Sequence, residues 1–244
     1  MTGKTLALTE RDKAVFAEVQ RFGVVTRDHM TRLKFFSSKT RANERLKRLT
    51  DAGYLSSRRQ ALLSGGPRLV YLPGHLLQTP AGRRRPADIS DMFLGHQLGL
   101  VDIRIAFERA VTIGRWLSDK DLTPVNLGLI PDAYLEYEVR GLTYCAFVEY
   151  DRGTEALTRL ERKAKAYLDL AHSGRFERTF KRRFFRVLLV SDTAGRVLSV
   201  SRAIARLTDR VIRFTTLTEL SGKGPLASIW RRPGASEFES LTSS

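Results

Sequence analysis

The sequence has one cysteine, Cys145, among 244 residues. That excludes an internal disulfide framework and fits a reducing compartment. There are four histidines, and no second His or Cys stands at ligand spacing from His96, which argues against a structural zinc site. No uncharged apolar run approaches the ~18 residues of a membrane span. The opening MTGKTLALTERDK has no apolar h-region, so a secretory leader is not expected. No helix pairs a basic face with a Trp/Phe-rich face, so no membrane partner is expected. A glycine-rich phosphate loop and a dinucleotide fingerprint are both missing, which disfavours nucleotide-driven machinery. Acidic residues are short: 26 Asp and Glu stand against 42 Lys and Arg, a net charge of +16. These absences leave a cytoplasmic protein with a polyanionic partner.

What is present is enough apolar residue, 42%, to bury a core, in a chain long enough for one or two domains. The charge is not evenly spread. Residues 1–85 hold 18 Lys or Arg and 6 Asp or Glu, a net of +12, while the remainder carries only +4. A basic module followed by a nearly neutral one implies two functions in one chain, the first of them nucleic-acid binding.

The first module is expected over 6–80. Thr9 caps a helix with Asp12 in its first turn, and Gly23 ends it. Thr26 caps a short second helix. Ser37 and Ser38 cap a third, in which Ala42, Leu46 and Leu49 form one inward stripe. A turn at Ser64-Gly65-Gly66-Pro67 separates two strand patterns, Tyr54–Arg59 and Arg68–Leu72, a hairpin signal. Three short helices and then a basic hairpin is the order of a winged helix-turn-helix. Its third helix should turn its N-terminal residues toward base edges in the major groove. Ser38, Lys39, Thr40, Arg41, Asn43 and Glu44 are the candidates at that end, since Arg and Asn bond guanine and adenine edges in bidentate fashion. Arg45, Arg48, Arg58, Arg59 and Arg68 are assigned to phosphates, which set affinity rather than sequence choice. An ordinary solvated helix face and a plain structural hairpin are the alternatives.

Pro80–Pro86, with three arginines among helix breakers, is expected to be a linker. An apolar-periodic helix over 89–107 follows, with His96 at a buried spacing. The second module is expected over 88–232 as an α/β sheet flanked by helices. Strand patterns fall at Trp116-Leu117, 129–137, 144–150, 184–190 and 211–216; helices fall at 156–173 and 195–210. Cys145 lies in an apolar strand and is expected in the core. From Gly222 to Ser244 the periodicity fades; Ile229 and Trp230 are expected to dock on the domain, and 233–244 is expected to be a flexible tail.

Pro131-Asp132 and Glu149-Tyr150-Asp151 carry the chemistry. Adjacent strands would bring Asp132 and Glu149 to one sheet end. Converging carboxylates, Asp132, Glu149 and Asp151, offer oxygen ligands for a divalent cation such as Mg²⁺, which activates water and stabilises the phosphate of a cut strand. This is the spacing of the PD-(D/E)xK nuclease fold. Asp151 stands where that motif has lysine, so Lys163 or Lys165 in the following helix would have to serve. The open alternatives are an active nuclease, a nuclease-like domain kept for binding, and carboxylates that merely end strands.

Three features in order resemble the replication-relaxation family of plasmids and mobile elements. They are Ala42–Leu49 through Ala52-Gly53-Tyr54-Leu55, then Gly95-His96-Gln97-Leu98, and then Ile130–Tyr134 with Phe147–Glu155 and Lys163–Tyr167. The resemblance spans about residues 9–215. It implies a DNA-binding accessory role in plasmid replication or mobilisation, with duplex DNA and replication or conjugation proteins as partners. Three functions compete: that accessory role, a Mg²⁺-dependent endonuclease or nickase using Asp132 and Glu149, and a transcription repressor. No cofactor is implied outside the nuclease reading. A homodimer on two half-sites fits a winged helix.

Overall fold

The computed structural model describes residues 6–60, 68–78, 89–208 and 210–242. The hairpin turn expected at Ser64–Pro67 and the linker expected at 80–86 fall outside the described residues. The fold is mixed α+β with two sheets, and the chain divides into two compact units, 1–105 and 106–244. No described helix is long and apolar enough to cross a membrane.

In the first unit, α1 (Glu10–Phe22) starts at Thr9. Its hydroxyl accepts from Asp12 N while the Asp12 carboxylate accepts from Thr9 N at 2.7 Å. This reciprocal box satisfies two orphan donors, and Gly23 at φ +75° closes the helix. β1 (Val25–Thr26) leads into α2 (Arg27–Arg32), capped by Thr26, and then α3 (Lys39–Asp51), capped by Ser38. β2 (Leu55–Gln60) and β3 (Arg68–Pro73) pair antiparallel, and β1 adds to β3, giving the order β1-β3-β2. Between α3 and β2 the chain turns at Gly53, whose φ of +84° admits glycine and strains other residues. Val15, Val19, Met30, Leu46 and Leu49 form the core.

α4 (Asp91–Glu108) departs from expectation in its allegiance. The expected boundary at 88 places it in the second module. Its Leu94 and Leu98 pack with Val24, Val70 and Leu72, while Val101 and Ile105 join the α1–α3 core. The division between units falls at 105/106, so most of the length of α4 belongs to the first unit.

The second unit runs β4 (Thr112–Ser118), α5 (Asp119–Leu122), a 3₁₀ turn (Thr123–Val125), β5 (Ala133–Val139) and β6 (Leu142–Asp151). Then come α6 (Leu157–His172), α7 (Arg175–Phe180), β7 (Arg186–Ser191), α8 (Ala194–Ile204), β8 (Ile212–Thr216) and α9 (Leu217–Lys223). The sheet order is β4-β5-β6-β7-β8, antiparallel from β4 to β6 and parallel from β6 to β8. Two-residue turns suit antiparallel neighbours, and Arg140-Gly141, both at positive φ, join β5 to β6. Parallel neighbours need crossovers, which α6–α7 and α8 supply. One face packs Phe147, Val187 and Phe214 against Leu160, Ala164 and Val200. Val187–Val190 of β7 are all buried, which explains the unbroken apolar run.

The tail is packed, not loose. Trp230 pairs with Glu239, Leu241 is fully buried, and Glu239 forms ion pairs with Arg213 and Arg232. Ile229 and Trp230 are buried as expected, whereas Leu241, a single apolar anchor in a polar stretch, carries no periodicity to announce it. α7 and α9, of six and seven residues, are too short to show a helical period and were likewise not expected.

Candidate functional site

Two polar regions stand out, one in each unit. In the first, α3 buries Ala42, Leu46 and Leu49 and exposes Lys39, Thr40, Arg41, Asn43, Glu44, Lys47 and Arg48. Ser38 Oγ accepts from Arg41 N at 3.3 Å, and Arg41 Nη1 donates to Ser37 Oγ at 3.2 Å. α1 and α2 carry acids in their first turns, as the helix dipole favours. α3 has none there and presents Lys39 and Arg41 instead. Cations at a helix N-terminus oppose its dipole, and together with the free N–H groups they suit an anion.

The expected readers and phosphate ligands separate in the structure. Lys39, Thr40, Arg41, Asn43, Arg48, Arg59 and Arg68 are exposed. Arg45 is not available. Its Nε donates to Asp12 Oδ1 at 2.9 Å and its Nη2 to the Ala7 carbonyl at 2.8 Å. Burial pushes Asp12 up, but hydrogen bonds from Arg45 and Thr9 outweigh it and hold the carboxyl at about 2. Arg58 is also engaged. It donates to the Ile89 carbonyl at 2.6 Å and pairs with Asp91 at the start of α4. Both arginines hold elements together, so they are withdrawn from the phosphate set. Arg27, which the sequence reading did not single out, donates to Asn43 Oδ1 at 3.3 Å and to Asp28 at 3.0 Å. Arg68 faces the same Asp28 at 3.7 Å. Arg27, Asn43 and Arg68 thus line one small cleft beside α3.

In the second unit, Asp132 precedes β5 and Glu149 lies near the end of β6. Ala133 pairs with Val148, so the next rung sets Asp132 beside Glu149. Asp132 Oδ2 accepts from Tyr150 N at 2.8 Å. Glu149 is buried, with Oε1 accepting from the Tyr167 hydroxyl and Oε2 from Lys163 Nζ. Burial pushes Glu149 up to about 8, with Asp132 adding to the rise and Lys163 and Tyr167 opposing it. Burial lowers Lys163, but Glu149 and Asp132 more than offset it and hold the ammonium above the ordinary lysine value.

Asp151 goes elsewhere. Oδ1 accepts from Gly153 N at 2.9 Å and Oδ2 from Arg196 Nε at 2.6 Å. It ties the 151–155 loop to α8. Arg196 was not foreseen, because its partner lies 45 residues away in sequence. Lys165 is exposed, since it falls on the face of α6 opposite Ala164 and Tyr167. The expected metal set of Asp132, Glu149 and Asp151 therefore does not converge. Among the described residues, no group of three or more His, Cys, Asp or Glu is placed to hold a metal ion. His96 is half-buried in α4, and Cys145 is buried in β6 as expected.

A family model described as replication-relaxation matches residues 16–183, more than half of the chain. The chain belongs to the replication-relaxation family. No curated protein and no solved structure matches it. The replication-relaxation match runs from α1 to just short of β7, so it takes in both α3 and the Asp132–Glu149–Lys163 cluster. Membership points to a role in plasmid or mobile-element replication or relaxation.

Proposed function

We propose that this replication-relaxation protein is a DNA-binding accessory protein of plasmid or mobile-element replication or mobilisation. Its first unit acts as a winged helix-turn-helix. The element order and the β1-β3-β2 sheet agree with that fold. The observation that carries the reading is the first turn of α3, cationic, acid-free and exposed beside Asn43 and the Arg27–Arg68 cleft. In this reading Lys39, Arg41 and Asn43 meet base edges, and Arg48, Arg59 and Arg68 meet phosphates. The second unit is a nuclease-like fold retained for assembly with replication or conjugation proteins or a second copy.

A Mg²⁺-dependent nickase is the second reading. The placement of Lys163 beside Glu149 and Asp132 favours it. Bound there, the cation would supply an activated water and charge neutralisation. Asp132 and Glu149 would hold it, and Lys163 would steady the developing charge. Lys163 and Tyr167 occupy both Glu149 oxygens, so the donor set must open first.

One gel decides between the two. Supercoiled plasmid is mixed with the protein in Mg²⁺, Mn²⁺ or EDTA. The accessory reading expects a shift that persists in EDTA, weakens steeply with salt, and leaves the DNA intact. Conversion to nicked or linear DNA, abolished by EDTA and by Asp132→Ala, would replace it with the nickase. No shift at low salt and no conversion in either metal would refute both.

A further inference from the structure

The sequence Lys181-Arg182-Arg183-Phe184-Phe185-Arg186 leads into β7, at the end of the sheet away from Glu149. Its two phenylalanines diverge. Phe185 turns inward against Phe147 and Phe176, with ring centroids 5.0 and 4.6 Å away. Phe184 points out and is 79% exposed, the most exposed large apolar side chain among the described residues. The core needs only the first of them. A single exposed ring is ordinary on a protein surface; what sets Phe184 apart is the cationic cleft it borders.

Phe184 forms one wall of a cleft of about 500 Å³. Tyr144 forms another, its ring stacked on Tyr137 at 5.5 Å and 20°. Arg182, Arg183, Arg186 and Arg210 also line it, beside apolar Phe185 and Val211, and no acidic side chain is among the described residues lining it. The Arg183 guanidinium lies over the Phe184 ring at 5.7 Å. Glu136, just outside the cleft, takes both hydrogen bonds of Arg182, so Arg182 serves as its frame. Tyr144 and Glu149 are five strand residues apart, about 17 Å at ~3.3 Å per residue. The cleft is therefore separate from the carboxylate cluster.

Several cations around one exposed ring, Phe184, and one half-buried ring, Tyr144, fit a polyanion that can offer planar faces. Duplex DNA hides those faces in its own stack. A single strand presents them together with its phosphates. We propose that this cleft holds a short stretch of single-stranded DNA. Phe184 and Tyr144 stack on its bases, and Arg183 and Arg210 attract its backbone, while Arg186 is tied to the Leu241 carbonyl. The inference rests on the DNA-handling role above and adds a second, structurally distinct contact. An accessory protein that grips duplex through one unit and an unpaired strand through the other would mark where a duplex opens.

The test measures fluorescence anisotropy of a labelled twelve-residue oligo(dT) with the full chain at low salt. Duplex binding is followed in parallel. Phe184→Ala is expected to weaken oligo(dT) binding about tenfold, the size of one lost stacking contact, and to leave duplex binding unchanged. Phe184→Trp should restore it. Arg41→Ala should do the converse, losing duplex and keeping oligo(dT). Unchanged oligo(dT) affinity in Phe184→Ala overturns the proposal. So does loss of oligo(dT) with Arg41→Ala, which would route single strands through the first unit. Equal competition by inorganic polyphosphate would reduce the cleft to a bare anion site, and a change of oligomeric state in Phe184→Ala without a change in oligo(dT) binding would make it a contact between copies. A wild-type chain that binds oligo(dT) but no duplex would refute the accessory reading and leave the cleft standing.

Discussion

Arg41 and Arg45 sit one helical turn apart on α3, and their environments give them opposite work. Arg45 neutralises the fully buried Asp12, and removing it leaves an uncompensated charge in the core. Arg45→Ala is expected to cost about 3–5 kcal/mol, read from urea unfolding. Arg41→Ala should change stability by less than about 0.5 kcal/mol, as a surface substitution does, while losing duplex binding. Asp12 also dictates an acid limb. Its folded value lies near 2 against the ordinary 3.8, so the stability it contributes is present above pH 3.8 and lost as pH falls toward 2. Glu149 has the opposite sign. Its folded value is raised from 4.5 to about 8, so its contribution is full below pH 4.5 and is lost as pH rises through 8. Glu149→Gln has no proton to lose there. Urea midpoints at pH 5 and pH 8 should therefore differ less in the variant than in the wild type. An equal slope would remove Glu149 from the titration.

At the scale of the element, α3 trades helix stability for an anion-facing end. Replacing Lys39 and Arg41 with glutamate turns unfavourable dipole contacts into favourable ones, each worth about 0.3–1 kcal/mol. The doubly reversed variant is expected to melt higher than the wild type and to give no duplex shift. A lower melting temperature would mean that these side chains are structural. α6 shows the same division by face. Tyr167, Lys163 and Leu160 look toward β6, and Lys165 looks to solvent, so one helix supplies both the partners of Glu149 and a bystander. The β5–β6 register, set by the turn at Arg140-Gly141, is what lays Asp132 next to Glu149. A one-residue slip would turn Glu149 to the opposite face.

For the whole molecule, the last residues are part of the second unit's core. Arg213 is 4% exposed at its side chain and is lowered by burial, with Glu239 the main group opposing that drop. Truncation after Arg232 removes Glu239 and the buried Leu241 together. The cost is expected to be about 3 kcal/mol or more, seen as a lower thermal midpoint. The first unit's charge predicts a steep salt dependence of duplex binding. Each phosphate contact contributes about 0.9 to the slope of log K against log salt, and Arg59→Ala or Arg68→Ala should each lower that slope by about one.

Much of this protein is legible in its sequence because the relevant physics is local. Thr9, Thr26 and Ser38 cap their helices through bonds that reach only three residues. The Ala42–Leu46–Leu49 stripe and the buried run of β7 follow from helical and strand periods. Even the Asp132–Glu149 rung is readable, since a two-residue turn sets the register between neighbouring strands. Tertiary structure alone decided which charges are spent. Arg41 and Arg45 both look available to DNA in the sequence until Asp12, 33 residues from Arg45, claims the latter. Arg196 claims Asp151 across 45 residues, and so separates it from Asp132 and Glu149. Phe184 and Phe185 are adjacent and identical, and only the packing of Phe147 and Phe176 determines which is buried. Which core α4 joins, and the burial of Leu241, were likewise decided by contacts distant in sequence. A carboxylate or a guanidinium in sequence is only a valence; burial and the nearest opposite charge decide whether it binds a ligand or holds the fold.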